Sequence, residues 1–148
     1  MILLDTNIIS ENFRPRPNPT VLAWIDAQPA SALYICAPVL AELRFGAERL
    51  APGRNQTNLR SAIDRIESSY FRGRILPLDA AAAAQYGRVA ATRERMGRRI
   101  EQMDALIAAI ALAQRAVLAT RDLGDFSDIG LELLNNYRLA SVGLSEWL

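Results

Sequence analysis

Met1-Ile2-Leu3-Leu4-Asp5-Thr6-Asn7 opens the chain, an apolar run passing straight into an acid. A continuous apolar run, rather than an alternating one, is the mark of a parallel strand buried on both faces. Similar runs recur at Leu33–Cys36, Arg74–Leu76 and Val117–Thr120, with a weaker fifth within Leu131–Leu134. The stretches between them have helical periodicity. Strands alternating with helices predict βαβ units, hence an α/β fold around a mainly parallel sheet of four to five strands.

The helices carry their own punctuation. Val21, Leu22, Trp24 and Ile25 follow the proline-rich loop Pro15–Pro19, and Pro38 opens a helix running to about Leu50. On that helix Val39, Leu43, Gly46, Ala47 and Leu50 fall on one core-facing stripe. Glu42 lies at its border, one turn from Gly46, and Phe45 points away from it. Leu59, Ala62, Ile63 and Ile66 mark the next helix. Asp79 caps an alanine-rich helix that ends near Gly97. From about Gln102 to Arg115 the chain is apolar nearly all round, as in a central buried helix. With no repeat or linker, the 148 residues read as a single domain spanning 1–148, and residues 139–148 receive no assignment.

Composition removes whole chemistries. The chain has no His, and its 17 basic residues are all Arg. Without His there is no imidazole base or Ser-His-Asp triad, and with only Cys36 there is no conventional zinc site. Without Lys there is neither a Walker A loop nor a Schiff base. A lone Cys suits a reducing compartment, and Met1–Asp5 has no basic leader, so the expected setting is the cytoplasm. The longest apolar run, Ala105–Ala113, is far short of the ~20 residues a bilayer requires. A net charge of +1 announces no global attraction to nucleic acid or membrane.

What remains for chemistry is oxygen. Asp5 and Asp122 follow two strands, at the carboxyl ends where open parallel sheets bind ligands. Glu42 borders a helix stripe, and Asp104 stands at the start of the most apolar helix. Each has an ordinary structural explanation: a cap, a turn, a solvated flank, or a carboxylate on a helix dipole. That dipole contributes only ~0.3–1 kcal/mol, little compensation for burying a charge. Together, two strand ends and two helices bring four carboxylates toward one cleft, where like charges call for a cation. Oxygen ligands suit Mg²⁺ or Mn²⁺, and such clusters commonly act in displacement at phosphorus.

The segments Leu3-Leu4-Asp5-Thr6-Asn7, Ala41-Glu42-Leu43-Arg44-Phe45-Gly46, Asp104-Ala105-Leu106-Ile107-Ala108-Ala109 and Ala119-Thr120-Arg121-Asp122 with Asp125-Phe126 resemble, in order, those of PIN-domain ribonucleases. More narrowly, they resemble the VapC/FitB-type toxins of bacterial toxin–antitoxin pairs. The resemblance spans residues 2 to about 134. It implies a three-layer α/β/α sandwich and an acidic site binding Mg²⁺ or Mn²⁺ that cleaves RNA endonucleolytically. Asp5 and Asp104 would then be the principal metal ligands, and Glu42 would ligate through water or orient the attacking water. Asp122 would complete the set, with Asp125 as the alternate acid and Thr6 and Thr120 as supporting hydroxyls. The resemblance further implies a homodimer, and hetero-oligomers with a VapB-like antitoxin through which any DNA contact would be indirect. The chain departs from the family's usual short ending, since eleven residues follow Tyr137.

The cluster Arg88, Arg93, Arg95, Arg98 and Arg99 is the candidate RNA path, with Arg98 and Arg99 foremost, although helix-end cations also complement a dipole. Arg44 and Arg49 are second-rank candidates, and Phe45 is a candidate partner contact. Two rivals remain. A haloacid-dehalogenase-like phosphatase would need an acid where Asn7 stands and a Lys the chain lacks. A PIN-like module that only binds RNA or a partner would be favoured by the loss of an acid, yet all are present.

Overall fold

The computed structural model describes residues 1–137, so residues 139–148 lie outside the described part. Five strands, β1 (Ile2–Leu4), β2 (Leu33–Cys36), β3 (Ile75–Leu76), β4 (Val117–Ala119) and β5 (Leu133–Leu134), form one sheet in the order β3-β2-β1-β4-β5. Every pairing is parallel, which sharpens the expectation of a mainly parallel sheet. Helices α1 (Thr6–Ile9), α2 (Pro19–Ala27), α3 (Ala37–Glu48), α4 (Arg54–Arg65), α5 (Ala80–Arg95) and α6 (Gln102–Gln114) flank it.

The chain runs outward from β1 to β2 and β3 on one side, then crosses back to lay β4 against the other side of β1. The strand order therefore reverses at β1, leaving a crevice beyond the carboxyl ends of β1 and β4, where such sheets bind ligands. Ile2, Leu3 and Leu4 pair with Val117, Leu118 and Ala119, so Asp5 and Thr120 emerge side by side.

Local chemistry explains most boundaries. The Asn18 side chain accepts from the Thr20 and Val21 amides at the start of α2. The Asp79 side chain accepts from Ala82 N at the start of α5, and Gly97, with φ +69°, turns the chain out of that helix. Helix α6 is buried on several sides through Ala105, Ile107, Ala108, Ala109, Ile110 and Ala111, as its apolar circumference predicts.

Several boundaries differ from the sequence reading. Helix α3 ends at Glu48, so Leu50 leaves the core stripe and is exposed, while Val39, Leu43 and Ala47 stay buried. The cause is Gln56, whose Nε2 donates to the carbonyls of Ala47, Glu48 and Leu50 and closes the helix there. Arg74 precedes β3 rather than joining it: its amide donates back to Phe71 O at 2.8 Å in a turn, while its carbonyl already accepts from Ile35 N of β2.

Candidate active site

Asp5 leaves β1 with its amide still bonded to Ala119 O, at 2.9 Å, and is 4% exposed. It caps α1, one carboxylate oxygen accepting from Thr6 N at 2.8 Å and the other from the Thr120 hydroxyl at 2.7 Å. Thr120 is buried just beyond β4, where its amide continues the sheet by donating to Leu134 O. Thr6 turns its own hydroxyl to Glu42 Oε1, at 2.7 Å, across from α3. Both threonines thus touch a carboxylate.

Asn7 joins the two strand ends. Its Nδ2 donates to Asp122 Oδ2 at 2.9 Å and to Thr120 Oγ1 at 3.4 Å, and its Oδ1 accepts from Arg121 N at 3.2 Å. The Asp122 amide donates to Thr120 Oγ1 at 3.1 Å. Asp104 arrives from the first turn of α6, and Asp125 from a 3-10 turn over Leu123–Phe126. Asp5, Glu42, Asp104, Asp122 and Asp125 line one cleft of about 290 Å³, together with Thr6, Asn7, Ser10, Arg14, Arg121 and Phe126.

The electrostatics follow from that crowding. Burial pushes the Asp5 carboxyl up to about 6, against the Thr120 and Thr6 hydrogen bonds, with Glu42 and Asp122 adding to the rise. Asp104 is pushed up to about 7, first by burial and then by the charges of Asp5, Asp125, Glu42 and Asp122. Cys36, at the end of β2, is pushed up to about 12 by burial and stays a thiol, neither nucleophile nor ligand.

As they stand, the carboxylates of Asp5, Glu42 and Asp122 are turned onto threonine and asparagine. Among the described residues no three acids close around a common point. The donor set nevertheless fits a hard divalent ion. It is all oxygen, it lines one cleft, and two of its members carry raised carboxyls that a cation would relieve.

The expected RNA path over residues 88–99 is altered. Arg93 is buried, its Nε on Arg98 O and its Nη1 on the carbonyls of Asp125 and Ser127, so it braces the segment that carries Asp125. Arg98 pairs with Asp128 at 2.5 Å. Arg99 is exposed, and neither Arg98 nor Arg99 lines the acidic cleft. The cleft's own cations are Arg14 and Arg121, which the sequence reading did not single out. Arg44 is paired with Asp64 and Glu67 on the surface. Phe45 is 66% exposed under the Arg49 guanidinium.

Sequence reasoning also missed Asn7 and the fully buried Glu11. One signal was present: Glu11 follows Ile8 by three residues, the position of a core-facing side chain on a helical turn.

Comparison with known proteins places the chain in a family. The family model described as "PIN domain" matches residues 2–131. The plasmid stability protein StbB of Pseudomonas syringae pv. tomato is 42% identical over 91% of the chain and 97% of its own length. The VapC ribonuclease Y4jK of Sinorhizobium fredii is 39% identical over 95% of the chain and all of its own length. Among solved structures, FitAB bound to the IR36 DNA fragment superposes with a TM-score of 0.87. That match has 37% identity and covers 93% of this chain and 96% of the other.

Proposed function

The chain belongs to the PIN-domain family, and from that premise we propose that it is the toxin of a toxin–antitoxin pair, a metal-dependent endoribonuclease. The observation that carries the reading is the convergence of five carboxylates, from two strand ends, two helices and a 3-10 turn, on one cleft at the sheet's switch point. A bound Mg²⁺ or Mn²⁺ would supply an activated water and positive charge at the phosphodiester.

The chain's own residues do the rest. Asp5 and Asp104 are the principal ligands, and the Thr120 hydroxyl and Thr6 amide hold the Asp5 carboxylate in orientation. Glu42, steered by the Thr6 hydroxyl, orients the attacking water or ligates through it. Asp122, fixed by Asn7, completes the set, with Asp125 as its alternate. Arg98 and Arg99 belong to the outer reach of the RNA surface.

VapBC and FitAB complexes among the structural neighbours, some bound to DNA, support an antitoxin as partner; we assign any DNA contact to that antitoxin and a homodimeric state to the toxin. Among the described residues no helix is long and apolar enough to cross a membrane. The cytoplasm, where Cys36 stays reduced, is the compartment we assign.

Incubating the purified chain with a mixed structured-RNA pool in Mg²⁺, Mn²⁺ or EDTA tests the reading. Folded Asp5→Ala and Asp104→Ala proteins run alongside. Metal-requiring cuts absent from both variants establish it, and cuts that persist in the variants overturn it. The binding-only reading is favoured by one observation, the attachment of the carboxylates to threonine and asparagine rather than to a common point. RNA retention without cleavage under every metal would establish that reading instead.

A further inference from the structure

Glu11 is an acid in the core, 0% exposed, on the 3-10 turn Ser10–Phe13 that follows α1. Its Oε2 accepts from Asn18 N at 2.8 Å and its Oε1 from the Tyr137 hydroxyl at 2.7 Å. Arg14 Nη1 lies 3.2 Å from Oε1, its side chain half exposed. The Tyr137 hydroxyl also lies 3.2 Å from the carbonyl oxygen of Asn7, the α1 residue whose side chain holds Asp122. On the Tyr137 ring sits Arg121, its guanidinium carbon 5.8 Å from the centroid and its Nε 3.6 Å from Asp122 Oδ1. Burial alone would raise the Glu11 carboxyl. The Asn18 amide, the Tyr137 hydroxyl and the charges of Arg14 and Arg121 hold it below its ordinary value instead.

A buried carboxylate is costly unless it is paired and hydrogen-bonded, and this one reaches both arginines of the cleft, one directly and one through a tyrosine. Both guanidiniums line the acidic cleft, and both keep a large exposed fraction. The cleft floor is a set of carboxylates that repels a polyanion. A strand approaching it needs fixed cations at the rim, and the planar fork of arginine suits phosphate oxygens.

We propose that Arg14 and Arg121 form a two-arginine clamp for backbone phosphates of the RNA strand at the rim of the acidic cleft, with Glu11 and Tyr137 as the positioning residues that hold it. The proposal rests on the ribonuclease reading for its substrate class. It adds which cations seat the strand and what fixes them. The residues at 98 and 99, outside the cleft, are not the clamp.

The test uses the full chain and a fluorescein-labelled single-stranded RNA of mixed sequence. Binding is followed by anisotropy in Mg²⁺ across a salt series, and cleavage is measured on the same RNA. For Arg14→Gln and Arg121→Gln, the plot of log affinity against log salt should lose about 0.7 of slope each, the worth of one phosphate contact on a single strand. KM should rise about tenfold per arginine, the worth of one charge-assisted hydrogen bond, with kcat changing far less.

Arg14→Lys keeps the charge and should restore the slope. Glu11→Gln, which stays isosteric, and Tyr137→Phe should raise KM without changing the slope, because the charges remain but are no longer aimed. Unchanged slopes in both glutamine variants of a wild type that binds RNA overturn the clamp while leaving the ribonuclease intact. Reduced slopes with no cleavage by wild type leave the clamp standing and overturn the ribonuclease. A wild type that neither binds nor cuts RNA overturns both.

Discussion

Replacing Asp5 by Asn should make the metal-free protein more stable at neutral pH, although Asp5 lines the acidic cleft. The Asp5 carboxyl is raised from 3.8 to about 6, chiefly by burial. A shift of that size corresponds to roughly 3 kcal/mol of penalty for the charged form in the folded state. The sign follows from proton binding: below about pH 4 the group is protonated in both states and nothing is lost. As pH rises through about 6 the folded state gives up a proton it held more tightly than the unfolded chain, and stability falls.

Asn carries no charge, and its Oδ1 keeps accepting from Thr6 N, a role Asn fills well. Its amide nitrogen faces the Thr120 hydroxyl, which already accepts from Asp122 N and must reorient, costing about 1 kcal/mol. The net gain at pH 8 in EDTA is then about 2 kcal/mol, or roughly 4–8 °C in melting midpoint for a chain of this size. Thermal and urea unfolding followed by circular dichroism from pH 4 to 8 read this directly. At pH 4 the substitution should be destabilising by about 1 kcal/mol. Adding Mg²⁺ should raise the wild-type midpoint at pH 8 and leave Asp5→Asn nearly unmoved. Destabilisation of equal size at pH 4 and pH 8 would refute the argument that burial of charge governs this position.

Other perturbations test other parts. Gln56→Ala removes the donor that closes α3 over Ala47, Glu48 and Leu50, and should destabilise by about 1–3 kcal/mol in urea titration. Gly87→Ala sits inside α5 where a methyl group meets nothing within 4 Å, so melting should show a gain of about 0.5–1 kcal/mol from helix propensity. Asp122→Asn and Asp125→Asn separate the two candidates for the fourth acid. Asp122, held by Asn7, is expected to lose about 10–100-fold in metal affinity or cleavage, and Asp125 less. Metal titration of the cleavage rate measures both.

The parallel sheet was legible because Ile2–Leu4, Leu33–Cys36 and Val117–Ala119 are short apolar runs that end in polar residues, and β1 and β2 fall on the bounds expected. The acids were legible for the same reason, since a carboxylate stands out against apolar neighbours. The arginines were harder to read. Charge density along the chain favoured residues 88–99, yet backbone carbonyls in need of donors drew Arg93 inward, and Asp128 drew Arg98. Arg14 and Arg121 sit in no charged run. Their importance comes from Glu11 and Tyr137, separated by 126 residues in sequence and by one hydrogen bond in space. No periodicity reports a pairing of that range. Asn7 was equally hidden, because its worth lies in bridging two strand ends that only the fold brings together.

The position of β1 in the middle of the sheet sets a schedule for synthesis. Of the five described strands it is made first, yet its β4 neighbour is complete only at Ala119, and β5 follows at Leu133–Leu134. Until then Leu3 and Leu4 lack one flank of their cover, and Asp5 has no Thr120 to meet it. Pairings of such long range form late, after the loop between them has been closed. A chain interrupted before Val117 is therefore not a feebler form of the finished protein. It is an incomplete sheet with an open apolar edge, fit for proteolysis, and holding at most three of the five acids. The hazard this molecule carries arrives all at once, when β4 and β5 complete the sheet.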